Sequence, residues 1–190
     1  LCEIHPWAES VRFARTGGEV CAVAVRIARA TTGRDLVAIC GYHGWTDWYL
    51  AVNLADAHGL DGQLLPGLEP KGVPRSLTGS TLAFNFENYE EFDAMMVEYG
   101  DRIAAVIMEP IRHEMTDGAF LRHVKESVHA HGGLLIFDEI TIGWKNKQRF
   151  RAMISNFDAK LPVQLGIYSG HSIVGDGYGY SDGTLYYHFN

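Results

Sequence analysis

Short, almost unbroken apolar runs punctuate the first 143 positions, at Leu36–Cys40, 82–86, 104–108 and Leu134–Phe137. Runs that do not alternate with polar residues predict strands buried on both faces, as in a parallel sheet. Between them, 19–30, Tyr89–Tyr99 and 120–130 repeat their apolar residues at helical spacing. In 19–30, Val20, Val23, Ala24, Ile27 and Ala28 cover most of the surface and Arg26 and Arg29 lie toward one edge, which predicts a well-buried helix. Gly33 and the pair Gly132-Gly133 stand where helices would stop. Strands that alternate with helices predict an α/β fold with right-handed crossovers. Residues 53–80 are polar and rich in glycine and proline, and a loop of that length inside a compact domain is more often functional than idle.

The pattern changes after Gly143. Lys145, Lys147, Arg149 and Arg151 make a basic run, and then 161–167 and Thr184–Phe189 read as strands separated by glycine turns. Tyr168, Tyr178, Tyr180, Tyr186 and Tyr187 crowd the last residues, a texture that predicts antiparallel hairpins. The expected organisation is therefore a parallel-rich α/β segment over 1–143, a junction at 144–150 and a short antiparallel β segment over 151–190.

Composition narrows the function. Sixteen Lys and Arg against 23 Asp and Glu give a net charge of −7, which lacks the basic footprint of a nucleic-acid binder. No run approaches the roughly 20 apolar residues a membrane-spanning helix needs. Cys2, Cys21 and Cys40 have neither CxxC spacing nor the pattern of a disulfide framework, so the segment that holds them reads as cytoplasmic. The chain opens on Leu1, and the expectation is a fragment of a longer protein.

Three short motifs carry candidate chemistry. Thr16-Gly17-Gly18-Glu19 precedes the first helix, where glycines admit an anion to free N–H groups at the positive end of the dipole; a plain tight turn is the alternative. Gly41-Tyr42-His43-Gly44 follows the strand Leu36–Cys40, at the carboxyl edge where α/β sheets hold ligands. Tyr42 there could stack on a planar ring with His43 bonding nearby, or it could simply cap the core. Asp138 and Glu139 end the strand Leu134–Phe137, and an acid so placed needs a cationic partner. A protonated pyridine nitrogen would serve. Metal ligation by both acids competes with that reading, but adjacent strand residues point to opposite faces.

With these motifs stand Ala28-Arg29-Ala30-Thr31-Thr32-Gly33-Arg34, Tyr42-His43-Gly44-Trp45, Met108-Glu109-Pro110 and Leu135-Ile136-Phe137-Asp138-Glu139-Ile140. In order and spacing, residues 1–143 resemble the large domain of class III (fold-type I) pyridoxal-phosphate aminotransferases, especially the glutamate-1-semialdehyde aminomutase-like branch. The resemblance implies amino-group transfer through a Schiff base, with small-molecule amino donors and acceptors and a homodimeric assembly. It implies that Thr16, Gly17 and Gly18 meet the phosphate of pyridoxal 5'-phosphate, that Tyr42 packs on its ring with His43 beside it, that Glu109 shapes the pocket and that Asp138 pairs with the ring nitrogen. Gly18 stands where the family usually carries a hydroxyl. The family's lysine should follow Asp138 beyond a further strand and helix. Lys160 lies 22 residues on, in a context unlike the family's, so the resemblance implies that the catalytic lysine is missing. A cofactor binder without chemistry is a further reading.

Residues 151–190 look different. Ser169-Gly170-His171-Ser172 and Tyr186-Tyr187-His188-Phe189-Asn190 are similar to the C-terminal part of streptopain-like (C10) cysteine peptidases, a papain-like fold. That resemblance implies His171 as general base and Asn190 as the residue orienting it, and it suggests a secreted origin for this part. None of the three cysteines sits in a matching context, so no peptidase activity is expected.

Overall fold

The computed structural model describes residues 13–63, 65–111 and 118–140, and the backbone of Gly175–Ser181 and Thr184–Phe189. Helix α1 (Gly17–Thr32) leads into strand β1 (Leu36–Cys40), and the short helices α2 (Asp47–Leu50) and α3 (Val52–Ala55) follow. Strand β2 (Thr81–Ala83), helix α4 (Tyr89–Tyr99), strand β3 (Ile103–Met108), helix α5 (Ala119–Ala130) and strand β4 (Leu134–Phe137) continue the alternation. The backbone segments β5 (Gly175–Ser181) and β6 (Thr184–Phe189) complete one sheet of order β2-β1-β3-β4-β6-β5. Strands β1 to β4 are mutually parallel, β6 lies parallel to β4, and β5 pairs with β6 in antiparallel fashion.

Every residue of β1, β3 and β4 is buried, as their unbroken apolar composition requires. One face carries α1, with Val20, Ala24 and Ala28 against Val37, Ile39 and Ile107. The other carries α4 and α5, with Phe92, Met96, Phe120 and Val124 against Ala38, Val106 and Leu135. Phe120 is the hub of that second layer, its ring lying 4.9–6.5 Å from those of Tyr89, Phe86, Phe92 and Phe84. It is 1% exposed. Phe120→Ala should therefore cost about 3–5 kcal/mol of stability, measured by urea unfolding.

Two elements differ from the sequence expectation for local reasons. The run 82–86 yields a strand that ends at Ala83. Beyond it, the Asn85 amide and side chain and the Asn88 side chain all donate to Glu91 Oε2, while Asn88 Oδ1 caps α4 through Glu91 N. The helix start pulls the chain out of the sheet. The helix expected over 19–30 starts two residues earlier, because Thr16 serves as its N-cap: Thr16 Oγ1 accepts from Glu19 N at 3.2 Å. Gly17 and Gly18 thus form the first turn rather than a preceding loop. In the tail, Thr184–Phe189 is a strand as expected, but its antiparallel partner is Gly175–Ser181. The strand expected over 161–167 lies outside the described residues, and β6 also extends the parallel sheet beside β4.

Candidate active site

Cys40, Met108 and Phe137 are in register across β1, β3 and β4. The residues just beyond them, Gly41, Glu109 and Asp138, therefore lie side by side at the carboxyl edge. Two ladder bonds continue there, Glu109 N to Cys40 O at 3.1 Å and Asp138 N to Met108 O at 2.9 Å. Beside this edge opens a cavity of about 940 Å³ whose wall includes Thr16, Gly17, Gly18, Tyr42, Trp45 and Glu109. The first turn of α1 thus meets the turn that leaves β1.

The turn after β1 is held on three sides. Gly41 N donates to Gln63 Oε1 at 2.7 Å, Gly41 O accepts from Tyr49 Oη at 3.0 Å, and Tyr42 N faces Glu109 Oε2 at 3.4 Å. Gln63 spans the sheet edge, since its Nε2 donates to Phe84 O at 3.2 Å. Tyr42 packs edge-on against Tyr49, with ring centroids 5.6 Å apart, and this fixes its plane. Burial pushes the Tyr42 phenol above its ordinary pKa, so it stays neutral. Gly44, at φ 90°, brings its backbone against Gly18: a Cβ there would sit 2.7 Å from Gly18 Cα.

At the N-terminus of α1, the Gly17 and Gly18 amides precede the first intrahelical bond, Val20 N to Thr16 O. Two close N–H groups at the positive end of a sixteen-residue helix suit a phosphate. Behind the wall, Asp138 is 2% exposed. Its Oδ2 takes His43 Nδ1 at 2.8 Å and the Cys21 thiol at 3.5 Å, and its Oδ1 takes Ile140 N at 3.1 Å. A carboxylate offers about four acceptor positions, so three donors leave room for one more, such as a ring N–H. His43 is fully buried, and its Nε2 lies 3.2 Å from Cys40 O, so both ring nitrogens face acceptors.

The donor atoms of Cys21, His43 and Asp138 lie within 4.8 Å of one another, a set that could in principle hold a cation. Burial, followed by the charge of Asp138, pushes the Cys21 thiol well above its ordinary pKa, so it keeps its proton and donates. Hydrogen bonds join the group in this structure, with Asp138 Oδ2 as the common acceptor of His43 Nδ1 and the Cys21 thiol. Glu139 is outside it, in line with the opposite faces of adjacent strand residues.

The structure thus gathers Thr16, Gly17, Gly18, Tyr42 and Glu109 on one wall, with His43 and Asp138 directly behind. Lys160, His171 and Asn190 lie outside the described residues. Cys21, Tyr49 and Gln63 were not expected at the site. Cys21 reads in sequence as a small core residue, and it is indeed buried. Its bond to Asp138 spans 117 positions and leaves no local signature.

Residues 1–147 match the family described as aminotransferase class-III. The chain is 36% identical over 151 residues to a glutamate-1-semialdehyde 2,1-aminomutase of Desulforapulum autotrophicum, covering 76% of this chain and 34% of that protein. It is 31% identical over 175 residues to a 2'-deamino-2'-hydroxyneamine transaminase of Streptomyces kanamyceticus, covering 91% of this chain and 40% of that one. A solved transaminase with PLP bound superposes at a TM-score of 0.60 with 29% identity, over 72% of this chain and 32% of its own. The chain spans about a third to two fifths of the length of the curated relatives it matches. It belongs to the class-III aminotransferase family.

Proposed function

We propose that this chain carries the cofactor-binding face of a pyridoxal-phosphate-dependent transaminase or aminomutase. The observation that carries the reading is the placement of the Gly17–Gly18 amides and the Tyr42 ring on one cavity, with the Asp138 carboxylate set just behind it. The residues fit the cofactor's chemistry: two helix-terminal N–H groups for a phosphate, an oriented ring for a planar heterocycle, and a buried acid with one acceptor position left for a ring nitrogen. When bound, pyridoxal phosphate supplies an electron sink for bonds at the substrate's amine-bearing carbon. The protein's own part is to hold a proton on the ring nitrogen through Asp138, to keep that acid aimed through His43, Cys21 and Ile140 N, and to fix the ring plane through Tyr42. Glu109 braces the Tyr42 turn. Glutamate-1-semialdehyde aminomutase and hydroxyneamine transaminase, as relatives, support small amines and carbonyl compounds as substrates. Homodimeric assembly and a cytoplasmic location belong to the same proposal.

The reading includes the absence of the family's lysine from residues 1–190. Borohydride reduction of the chain with stoichiometric pyridoxal phosphate, followed by peptide mass spectrometry, is expected to leave no stoichiometric lysine adduct. Such an adduct on Lys160 would overturn this part and make the chain a catalyst in its own right. The likeness of 151–190 to streptopain-like peptidases is a separate proposal that rests on His171, Asn190 and their neighbours in sequence alone. Labelling by a thiol-directed peptidase inhibitor, lost in His171→Ala, would support peptidase chemistry; no labelling is expected.

A further inference from the structure

Thr46 enters α2 with extended backbone, at φ −80° and ψ 161°, the position from which a threonine ordinarily caps a helix with its hydroxyl. It makes no such bond. Only its carbonyl serves the helix, accepting from Tyr49 N and Leu50 N. Thr46 Oγ1 is shielded from solvent and has no hydrogen-bond partner among the described residues. A buried hydroxyl in that state is costly, and it calls for a partner from outside the chain.

The side chain stands at the end of α1. Thr46 shares the cavity wall with Thr16, Gly17 and Gly18. Its Cγ2 lies 4.0 Å from the point that a Cβ on Gly18 would occupy, and the Gly44 backbone holds the same turn against Gly18. One step of χ1 between staggered wells puts Oγ1 where Cγ2 now stands, and no bond holds Oγ1 back. The other hydroxyl of the cup, Thr16 Oγ1, already accepts from Glu19 N as the cap of α1. Gly18 brings no side chain. A phosphate monoester carries three strong acceptor oxygens, so two helix-terminal amides leave acceptor capacity for a hydroxyl donor.

Resting on the reading of the site as a transaminase's, we infer that Thr46 is a phosphate-binding residue, its hydroxyl donating to the cofactor's phosphate beside the Gly17 and Gly18 amides. Thr46 thereby selects the phosphorylated cofactor over its unphosphorylated form and leaves the ring to Tyr42 and Asp138. The orphaned hydroxyl and the missing cap bond have one explanation: the side chain is kept for the anion.

The test compares wild type with Thr46→Val, which removes the hydroxyl at similar shape, and Thr46→Ser, which keeps it. Each full chain is titrated with pyridoxal phosphate and with pyridoxal, and melted with and without inorganic phosphate. Thr46→Val is expected to bind pyridoxal phosphate about tenfold more weakly, the loss of one hydrogen bond to a charged group. Thr46→Ser should stay within about threefold of wild type, and pyridoxal should bind all three proteins equally. Inorganic phosphate should raise the melting temperature of wild type and Thr46→Ser more than that of Thr46→Val. Without ligand, Thr46→Val should melt no lower than wild type, because the hydroxyl has no bond within the fold to lose. Equal pyridoxal phosphate affinity in wild type and Thr46→Val, or an equal loss for pyridoxal, overturns the inference. A chain that inorganic phosphate stabilises through Thr46, yet that fails to bind pyridoxal phosphate, would defeat the transaminase reading and leave the phosphate cup standing. A response to neither ligand defeats both.

Discussion

Asp138→Asn is expected to weaken pyridoxal phosphate binding about ten- to a hundredfold, the loss that follows when a hydrogen bond to a buried charge becomes a neutral one. The carboxylate serves three protein donors as well as the proposed ring nitrogen. An amide with its oxygen toward His43 and Cys21 would turn its NH₂ against the Ile140 N–H, leaving a donor unsatisfied. That mismatch should cost about 1–3 kcal/mol of stability. Asp138→Ala removes the acceptor altogether and leaves the buried His43 Nδ1 without its carboxylate, at about 1–3 kcal/mol. Equilibrium dialysis and thermal melting on the same samples separate the two effects, because the affinity loss must exceed what partial unfolding explains. Asparagine and wild type with equal affinity would show that Asp138 serves the fold and not the ring.

Gly44→Ala should be nearly as damaging, for a steric reason. At φ 90° an alanine is strained, and its Cβ would lie 2.7 Å from Gly18 Cα. The obstacle is backbone on a helix terminus, so no rotamer change relieves it. Strain and overpacking together should cost about 2–5 kcal/mol. To relax, the first turn of α1 must move away from the Tyr42 turn, which widens the phosphate cup and weakens the cofactor. Gly72→Ala is the control: its φ is 89°, but nothing lies within 4 Å of the new Cβ. It should show only a backbone penalty of about 1–2 kcal/mol and unchanged cofactor affinity. Gly18→Ala, whose Cβ would be an ordinary 3.5 Å from Gly44 Cα, should disturb the cup less than Gly44→Ala.

What could be read in the sequence, and what could not, follows from range. Strands β1, β3 and β4 were visible because a fully buried strand has no polar side to interrupt it. Helix α4 was bounded correctly because its cap signals, Asn88 and Glu91, are local. The same signals shortened β2, since the chain cannot stay in the sheet and also supply the cap. At the site, Gly17, Gly18, Tyr42 and Asp138 were legible through short motifs and their places after strands or before helices. Their supports were not. His43 reaches Asp138 across 95 positions, and Gln63 reaches Gly41 and Phe84 from a glycine-rich loop. No spacing encodes such contacts; the parallel register of three strands creates them. Gln63 also gives part of the 53–80 loop a definite task, the bracing of the turn that presents Tyr42.

The central claim is that these residues form one cofactor site within this chain. Its most direct test is an absorbance titration of the folded chain with pyridoxal phosphate, repeated with Asp138→Asn and Gly44→Ala and in the presence of inorganic phosphate. The account predicts saturable one-to-one binding, weakened by both substitutions and competed by phosphate through the Gly17–Gly18 amides. A chain that melts cooperatively yet shows no saturable binding, or binding indifferent to both substitutions, would contradict it.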